Sequence, residues 1–157
     1  MTEDQLQKQV AEWLSFALPP GCVFHHSPNE GTRHVAFKQK LKQMGTRFGW
    51  PDLEILVPAD QARVGNSIAI FIELKRPKGG TLTANQKDMR DAIELAGAQW
   101  GLARSIEQVE EILQPLVRLR VNQCHHKGCK DGWVYAPDGE GCVQSEHCPK
   151  CDGRGYL

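Results

Sequence analysis

Three features are missing from this sequence of 157 residues, and each excludes a class of protein. No apolar run approaches the roughly 18 residues that a membrane-spanning helix needs. No charge excess exists, because 19 Lys and Arg balance 19 Asp and Glu, and this argues against a highly basic nucleic-acid coat or a polybasic membrane binder. The N-terminus lacks the charged-then-apolar order of a signal peptide. We therefore expect a cytoplasmic protein.

Cysteine is scarce in most of the chain and crowded at its end. Only Cys22 lies in the first 120 residues, whereas five cysteines lie in the last 34. In a reducing compartment such a cluster indicates a bound metal rather than disulfides. The composition as a whole, with 40% hydrophobic and 24% charged residues, is globular. We predict a main domain over residues 1–120 and a small cysteine-rich module over residues 121–157.

Capping patterns and hydrophobic periodicity predict an α/β domain. Three capping patterns predict helices that begin at Thr2, Thr83 and Ser105. Four mostly apolar stretches predict strands, at residues 22–26, 53–57, 68–74 and 98–103. Residues 27–50 show no sustained period and are expected to be irregular. The predicted order of elements is α, β, β, β, α, β, α.

A Pro-Asp pair and a Glu-x-Lys sequence stand at the ends of two predicted strands. Asp52 begins one strand, and Glu73 and Lys75 share a face at the end of the next. If the strands form a hairpin, Asp52 lies near Glu73, and two such carboxylates repel each other unless a cation lies between them. Mg²⁺ prefers oxygen ligands of this kind, and the Leu74 carbonyl is a further candidate ligand. Lys75 would then orient or deprotonate a water, or neutralise charge on a phosphate.

Each of these residues also has a plainer interpretation. Glu73 and Lys75 could be the polar end of a strand, although the apolar run before them argues against an exposed edge. Glu3 projects about 60° from Leu6, within the apolar face of the first helix. It could reach the site, or it could be a first-turn acid that favours the helix dipole. Gln86 could contribute to the site, or it could only complete a capping box.

These residues fit the pattern of the PD-(D/E)xK nucleases and resemble, in finer detail, their VRR-NUC branch. The matching stretches occur in order: His26-Ser27-Pro28-Asn29-Glu30-Gly31, Gly49-x-Pro51-Asp52, Phe71-Ile72-Glu73-Leu74-Lys75 and Thr83-x-x-Gln86. The resemblance extends over about residues 3–114. It implies a restriction-endonuclease-like α/β core with a mixed sheet flanked by helices, and metal-dependent hydrolysis of phosphodiester bonds.

The resemblance also implies a role for each site residue. Asp52, Glu73 and the Leu74 carbonyl would bind Mg²⁺ or Mn²⁺, with Glu3 as a further ligand. Lys75 would assist the nucleophile, and Gln86 would contribute from its helix. Members of the family that stand alone resemble Holliday-junction-resolving enzymes that act as dimers. We therefore expect a homodimeric, structure-selective endonuclease that cuts branched DNA. The alternatives are a non-catalytic nucleic-acid-binding or adaptor module with a zinc ribbon, and a nuclease acting on linear ends or RNA.

Basic residues surround this constellation in the sequence. Over residues 25–50, five Lys or Arg stand against a single acid, Glu30. Such a basic run is usually a solvated loop. Because this run precedes a site of metal-binding carboxylates, we expect it to contact DNA phosphates. No base-reading element is evident, so we expect recognition of DNA shape. The candidate DNA-binding residues are Arg33, Lys38, Lys40, Lys42, Arg47 and Arg76.

The C-terminal cysteines have the spacing of zinc ligands. Cys148-Pro149-Lys150-Cys151-Asp152-Gly153-Arg154-Gly155 resembles the Cys-x-x-Cys-x-Gly-x-Gly unit of DnaJ-type zinc domains. Cys129 belongs to a second pair, for which we choose Cys124 as the partner. His126, Cys142 and His147 are alternative ligands, and a tail with free thiols is the plainer interpretation. Four protein ligands around Zn²⁺ leave no open position, so this zinc would be structural, in a zinc-ribbon-like module.

Overall fold

A mixed sheet of four strands lies at the centre of the first of two compact units, Met1–Arg118 and Leu119–Leu157. The computed structural model describes residues 1–27 and 35–120, and the strands at residues 129–130, 133–137 and 143–147. None of the helices in these parts of the chain is both long and apolar enough to cross a membrane.

The first unit contains four helices and four strands within the described residues. In chain order these are α1 (Glu3–Ala17), β1 (Val23–His26), α2 (Val35–Gln43), β2 (Leu53–Val57), β3 (Ile68–Leu74), α3 (Ala84–Leu95), β4 (Gln99–Ala103) and α4 (Ile106–Leu113). The capping residues Thr2, Thr83 and Ser105 each accept a hydrogen bond from a backbone N–H in the first turn of their helix. The predicted α/β order is confirmed for every element except α2.

The expectation that residues 27–50 are irregular is wrong for α2. This helix spans nine residues, and the sequence around its start, His34 to Phe37, has no capping-box pattern. The described side chains of α2 are mostly exposed, so its apolar period is weak. Two lysines in the last turn, Lys40 and Lys42, favour the helix because cations stabilise the negative end of its dipole.

The sheet has the strand order β1-β2-β3-β4. β1 and β3 both run antiparallel to β2, whereas β4 runs parallel to β3. A parallel pair requires a crossover connection, and α3 supplies it. β3 is therefore a central strand, and its last five residues, 70–74, are all buried. This explains why the run before Glu73 is so strongly apolar.

One face of the sheet carries most of the apolar core. On β2 and β3 the core residues of this face stand opposite each other, as in the pair Leu53 and Ile72. On α1 the buried residues Leu6, Val10 and Leu14 recur at helical spacing. The helix α4 packs on the same face at Gly101. This glycine belongs to β4 and is paired with Ile72 of β3. A Cβ at Gly101 would lie 2.7 Å from Cδ1 of Ile112, so any larger residue there would require the Ile112 side chain to shift.

The second unit contains a three-stranded antiparallel sheet with the order β5-β6-β7, formed by Cys129–Lys130, Trp133–Pro137 and Val143–His147. Of the predicted zinc ligands, Cys129 belongs to β5, and the alternative ligand His147 belongs to β7. The others, Cys124, Cys148 and Cys151 with the alternatives His126 and Cys142, lie outside the described residues.

Gly49 fixes the loop before β2 against the start of α3. Its φ of +81° lies in the left-handed region, and a Cβ there would stand 2.5 Å from both the carbonyl carbon and the carbonyl oxygen of Asn85. Neither backbone atom can move without unwinding the first turn of α3. The contact therefore holds the loop directly against the helix that carries Gln86.

We expect Gly49→Ala to lower the free energy of unfolding by more than about 2 kcal/mol, measured by urea denaturation. About 1–2 kcal/mol comes from the left-handed conformation, and the clash with Asn85 adds to it. Gly45→Ala is the matched control, because Gly45 has a φ of +94° but nothing within 4 Å of a Cβ. Equal losses in the two variants would contradict this packing role.

Candidate active site

The antiparallel pairing of β2 with β3 brings Asp52 next to Glu73. Leu53 stands opposite Ile72, so the residue before Leu53 meets the residue after Ile72. The Asp52 carboxylate accepts a hydrogen bond at Oδ2 from the backbone N–H of Leu74, at 2.8 Å. The predicted hairpin is confirmed, and it places the two carboxylates at the same end of the sheet.

Three charged side chains in the described residues are buried, whereas the others are at least partly exposed. Asp52, Glu73 and Lys75 are 4%, 1% and 7% exposed, and no other charged side chain in the described residues is buried. The Lys75 ammonium donates to Oε1 of Glu73. Removing charges from water costs several kcal/mol per ion, even when they pair with each other. The chain thus concentrates an energetically unfavourable arrangement at one position, which is typical of a functional site.

Burial raises the pKa of both carboxyl groups. The pKa of Glu73 rises to about 7, first because the group is desolvated and second because Asp52 repels its charge, while Lys75 opposes the rise. Desolvation also raises the pKa of Asp52, although the Leu74 N–H and Lys75 act in the opposite direction. In both groups the charged form is disfavoured, and a divalent cation between them would relieve both penalties.

Gln86 combines the two roles that its sequence position left open. Its Oε1 accepts a hydrogen bond at 2.9 Å from the Thr83 N–H, which completes the capping box of α3. Its Nε2 donates to Oε1 of Glu73. The capping box therefore fixes the amide group in the orientation that allows it to hold the Glu73 carboxylate.

Glu3 also faces this cluster. It lies in the first turn of α1, and its Oε1 is 3.8 Å from Nζ of Lys75. Its side chain is 40% exposed, so it lies at the solvent side of the buried group. The first-turn position favours the dipole of α1 at the same time. The two interpretations of Glu3 are thus compatible.

A metal ion would find oxygen ligands here. Asp52, Glu73 and the Leu74 carbonyl are hard donors, and Mg²⁺ typically binds one or two carboxylates and keeps several waters. Within the described part of the chain, no group of three His, Cys, Asp or Glu side chains is placed to hold a metal by itself. The donor set fits a cation whose remaining ligands are water and substrate oxygens.

His26, with which the first of the matching stretches begins, lies beside Asp52. Its Nδ1 is 2.8 Å from the backbone oxygen of Asp52, and the Ser27 N–H donates to the same oxygen at 3.0 Å. Because a carbonyl oxygen only accepts, Nδ1 is assigned as the donor. These bonds tie the end of β1 to Asp52.

Arg104 is a supporting residue that sequence reasoning missed. Its guanidinium donates to the backbone oxygens of Arg76, at 3.0 Å, and of Gly80, at 2.6 Å. The turn held in this way lies against Lys75, because a Cβ at Gly80 would be 3.0 Å from Cβ and Cδ of Lys75. No local sequence signal identifies a contact between residues 24 positions apart.

Arg104→Ala should release this turn and accelerate tryptic cleavage after Lys78 by at least about tenfold. Each hydrogen bond from a charged donor contributes about 1.5–3 kcal/mol, and about 1.4 kcal/mol changes the population of an open state tenfold. Limited proteolysis followed by mass spectrometry measures the rate. Arg118→Ala, which removes an exposed arginine, should leave the rate unchanged. The same rate in both variants would show that Arg104 does not hold the turn.

The described residues among the predicted DNA-binding set lie at two places in the first unit. Lys40 and Lys42 are exposed at the end of α2, and Arg47 is exposed in the loop that follows. Arg76 is exposed directly after Lys75. Lys38 belongs to α2, whereas Arg33 lies outside the described residues.

Comparison with known proteins finds a likeness of fold among solved structures. No model of a protein family matches the chain, and no curated protein is significantly similar to it. A solved structure described as "VRR_NUC domain protein" aligns with a TM-score of 0.59 and 28% identity, over 76% of this chain and 90% of its own. Another, described as "VRR_NUC domain", aligns with a TM-score of 0.46 and 21% identity, over 73% of this chain and 97% of its own. The first likeness supports a VRR_NUC-like fold for this chain.

Proposed function

From this likeness we propose that the first unit is a divalent-metal-dependent DNA endonuclease whose active site is the cluster of Asp52, Glu73 and Lys75. The observation that carries the proposal is the burial of all three charges together at the end of β3. A binding module gains nothing from two buried carboxylates with raised pKa values, whereas phosphodiester hydrolysis uses a metal ion, a base and a cation. The likeness to a VRR_NUC domain protein supports the same conclusion.

In the proposed reaction Asp52, Glu73 and the Leu74 carbonyl, with Glu3 as a further ligand, would hold Mg²⁺ or Mn²⁺, which would supply Lewis-acid stabilisation of the phosphate. Lys75 orients the attacking water, accepts its proton or neutralises charge on the phosphate. The water oxygen bonds to phosphorus as one P–O ester bond breaks, which leaves a phosphate monoester and a hydroxyl. Gln86 keeps the Glu73 carboxylate oriented through its donated hydrogen bond.

The proposed substrate is branched DNA, cut by a homodimer. The exposed cations Lys40, Lys42, Arg47 and Arg76 support contact with phosphates, and Arg33 and Lys38 extend the same basic set in the sequence. Phosphate contacts position DNA without reading its bases, so they suit an enzyme that recognises DNA shape. Binding through several cations should weaken steeply as the salt concentration rises.

The test is cleavage of end-labelled four-way junction, flap, linear duplex and single-stranded substrates, in DNA and RNA, with Mg²⁺ or Mn²⁺. Paired cuts near the branch point that Lys75→Ala eliminates are the expected result. Degradation from free ends, or of RNA, would keep the nuclease and change its substrate class. Intact DNA binding without cleavage in either metal would favour the alternative, a non-catalytic nucleic-acid-binding module.

We further propose that Cys124, Cys129, Cys148 and Cys151 bind one structural Zn²⁺ in the second unit. The purified full chain should then contain about one zinc ion per molecule, measured by elemental mass spectrometry. Cys148→Ser should lose that zinc, because three ligands rarely suffice for a closed structural site. Cys22→Ser, which changes a cysteine of the first unit, should keep it. Equal zinc content in the two variants would remove Cys148 from the ligand set.

A further inference from the structure

We propose that a cavity beside the active site binds one unpaired nucleotide of the substrate. The cavity has a volume of about 610 Å³ and lies between the loop after α2 and the exposed face of α3. This volume falls within the range of small-ligand sites. The proposal rests on the proposed function and specifies its substrate: DNA in which a nucleotide next to the scissile phosphate is unstacked, as at a flap or a branch point.

The first turn of α3 contributes one residue to the cavity and the next residue to the catalytic cluster. Asn85 lines the cavity, and the next residue, Gln86, donates a hydrogen bond to Glu73. The opposite wall is the loop that Gly49 holds against the Asn85 backbone. In the proposal, a strand whose phosphate lies at Glu73 places an adjacent nucleotide in the cavity. The cavity is already open in this structure, with its loop wall packed against α3 through Gly49.

The lining offers a partner for each part of a nucleotide. Lys42 and Arg47 supply positive charge for the phosphate, and neither forms an ion pair within the described residues. Phe48 is 36% exposed and presents an aromatic ring, with Met89 as a second apolar side chain. Stacking of a base on an aromatic side chain is a standard means of holding single-stranded nucleic acid.

The presence of Asp88 indicates that the cavity binds a nucleotide base and not only the phosphates of a duplex. A carboxylate in a groove that only followed phosphates would repel them, whereas carboxylates accept hydrogen bonds from base N–H groups. Asp88 lines the cavity, is exposed, and forms no ion pair in the described part of the chain. Asn85 adds an amide that can both donate to and accept from a base edge. The combination of cation, ring and acceptor matches a nucleotide more closely than it matches a phosphate alone.

The experiment uses the full chain in EDTA, so that binding is measured without cleavage. The probe is a flap substrate with 2-aminopurine as the unpaired nucleotide at the branch point, compared with an equally long duplex in which 2-aminopurine is paired. We expect about tenfold tighter binding of the unpaired probe, with quenched emission as the base stacks on Phe48. A ribonucleotide at the same position tests whether the cavity distinguishes DNA from RNA; tight binding of either sugar supports the nucleotide site.

Phe48→Leu, which keeps an apolar side chain but removes the ring, should eliminate both the quenching and the tenfold preference. Binding of the paired duplex should stay within about twofold, because the phosphate contacts remain. Phe16→Leu is the matched control, since Phe16 is 67% exposed on α1 and does not line the cavity. Asp88→Ala is the second variant, and it should lower the preference for the unpaired probe without weakening duplex binding.

A preference that survives both Phe48→Leu and Asp88→Ala would overturn the proposal. It would also be overturned if Phe48→Leu changed only the oligomeric state in sedimentation, because the cavity would then be a contact between two copies of the chain. The outcome is separable from that of the proposed function. Cleavage without selective binding of the unpaired probe removes the nucleotide site alone, whereas selective binding without cleavage removes the nuclease and keeps the nucleotide site.

Discussion

Glu73→Gln should abolish DNA cleavage and, at pH 8, make the metal-free protein more stable. Cleavage should fall by at least about 10³-fold, because a metal ion acting as a Lewis acid contributes several kcal/mol and glutamine is a poor ligand for it. Stability should rise because the charged form of Glu73 is disfavoured even beside Lys75, whereas glutamine is neutral at every pH and Lys75 keeps the Asp52 carboxylate as its counter-charge. One substitution thus has opposite effects on activity and stability.

The gain in stability should depend on pH in a defined direction. The pKa of Glu73 is about 7 in the folded protein against an ordinary value of 4.5, so between these values the folded state holds a proton that the unfolded chain has released. The stabilisation from that proton is complete below about pH 4.5 and is lost as the pH rises through about 7. Wild type and Glu73→Gln should therefore have similar melting temperatures near pH 5 and diverge towards pH 8.

Thermal denaturation in EDTA across this pH range measures the effect, and the same samples with Mn²⁺ provide a second readout. Mn²⁺ should raise the melting temperature of wild type more at pH 8 than at pH 6, because protons compete with the cation for Glu73. Glu54→Gln is the control, since Glu54 lies on β2 in the same sheet and is only half-buried. A parallel decline of wild type and Glu73→Gln with pH would contradict the assignment of the raised pKa to Glu73.

The hairpin and its carboxylates were predictable because their signals are local. The period of two along β2 and β3 assigns each side chain to a face, and register then brings Asp52 to Glu73. The capping box that positions Gln86 is equally local, since Thr83 and Gln86 stand three residues apart. Local patterns of this kind depend on backbone geometry alone, so they can be recognised in the sequence without knowledge of the tertiary structure.

The supports of the site were not predictable, because they arise from contacts distant in sequence. Arg104 donates to the turn at Gly80, and Gly49 contacts Asn85. Neither residue belongs to a sequence pattern that would identify its partner. The helix α2 was missed for a related reason. Its described side chains are mostly exposed, so its apolar period is too weak to distinguish it from a loop.

Lys75→Met should eliminate cleavage and also destabilise the protein at pH 8. Loss of the ammonium leaves Asp52 and Glu73 buried without their cation, and removing one partner from a buried ion pair costs about 3–5 kcal/mol. The loss should be smaller at pH 6, because Glu73, whose pKa is already about 7, then escapes part of the penalty by taking up a proton. Urea denaturation at the two pH values, in EDTA, measures both effects.

The double variant Lys75→Met/Glu73→Gln should recover part of the stability lost in Lys75→Met while remaining inactive. The two side chains are in contact, so their effects should depart from additivity by about 1–3 kcal/mol. Additive effects within about 0.5 kcal/mol would mean that the contact contributes nothing to stability. If the inactive double variant is more stable than Lys75→Met and close to wild type, the charged cluster contributes no net folding stability. Its retention in a buried position would then be explained by the phosphodiester hydrolysis proposed for it.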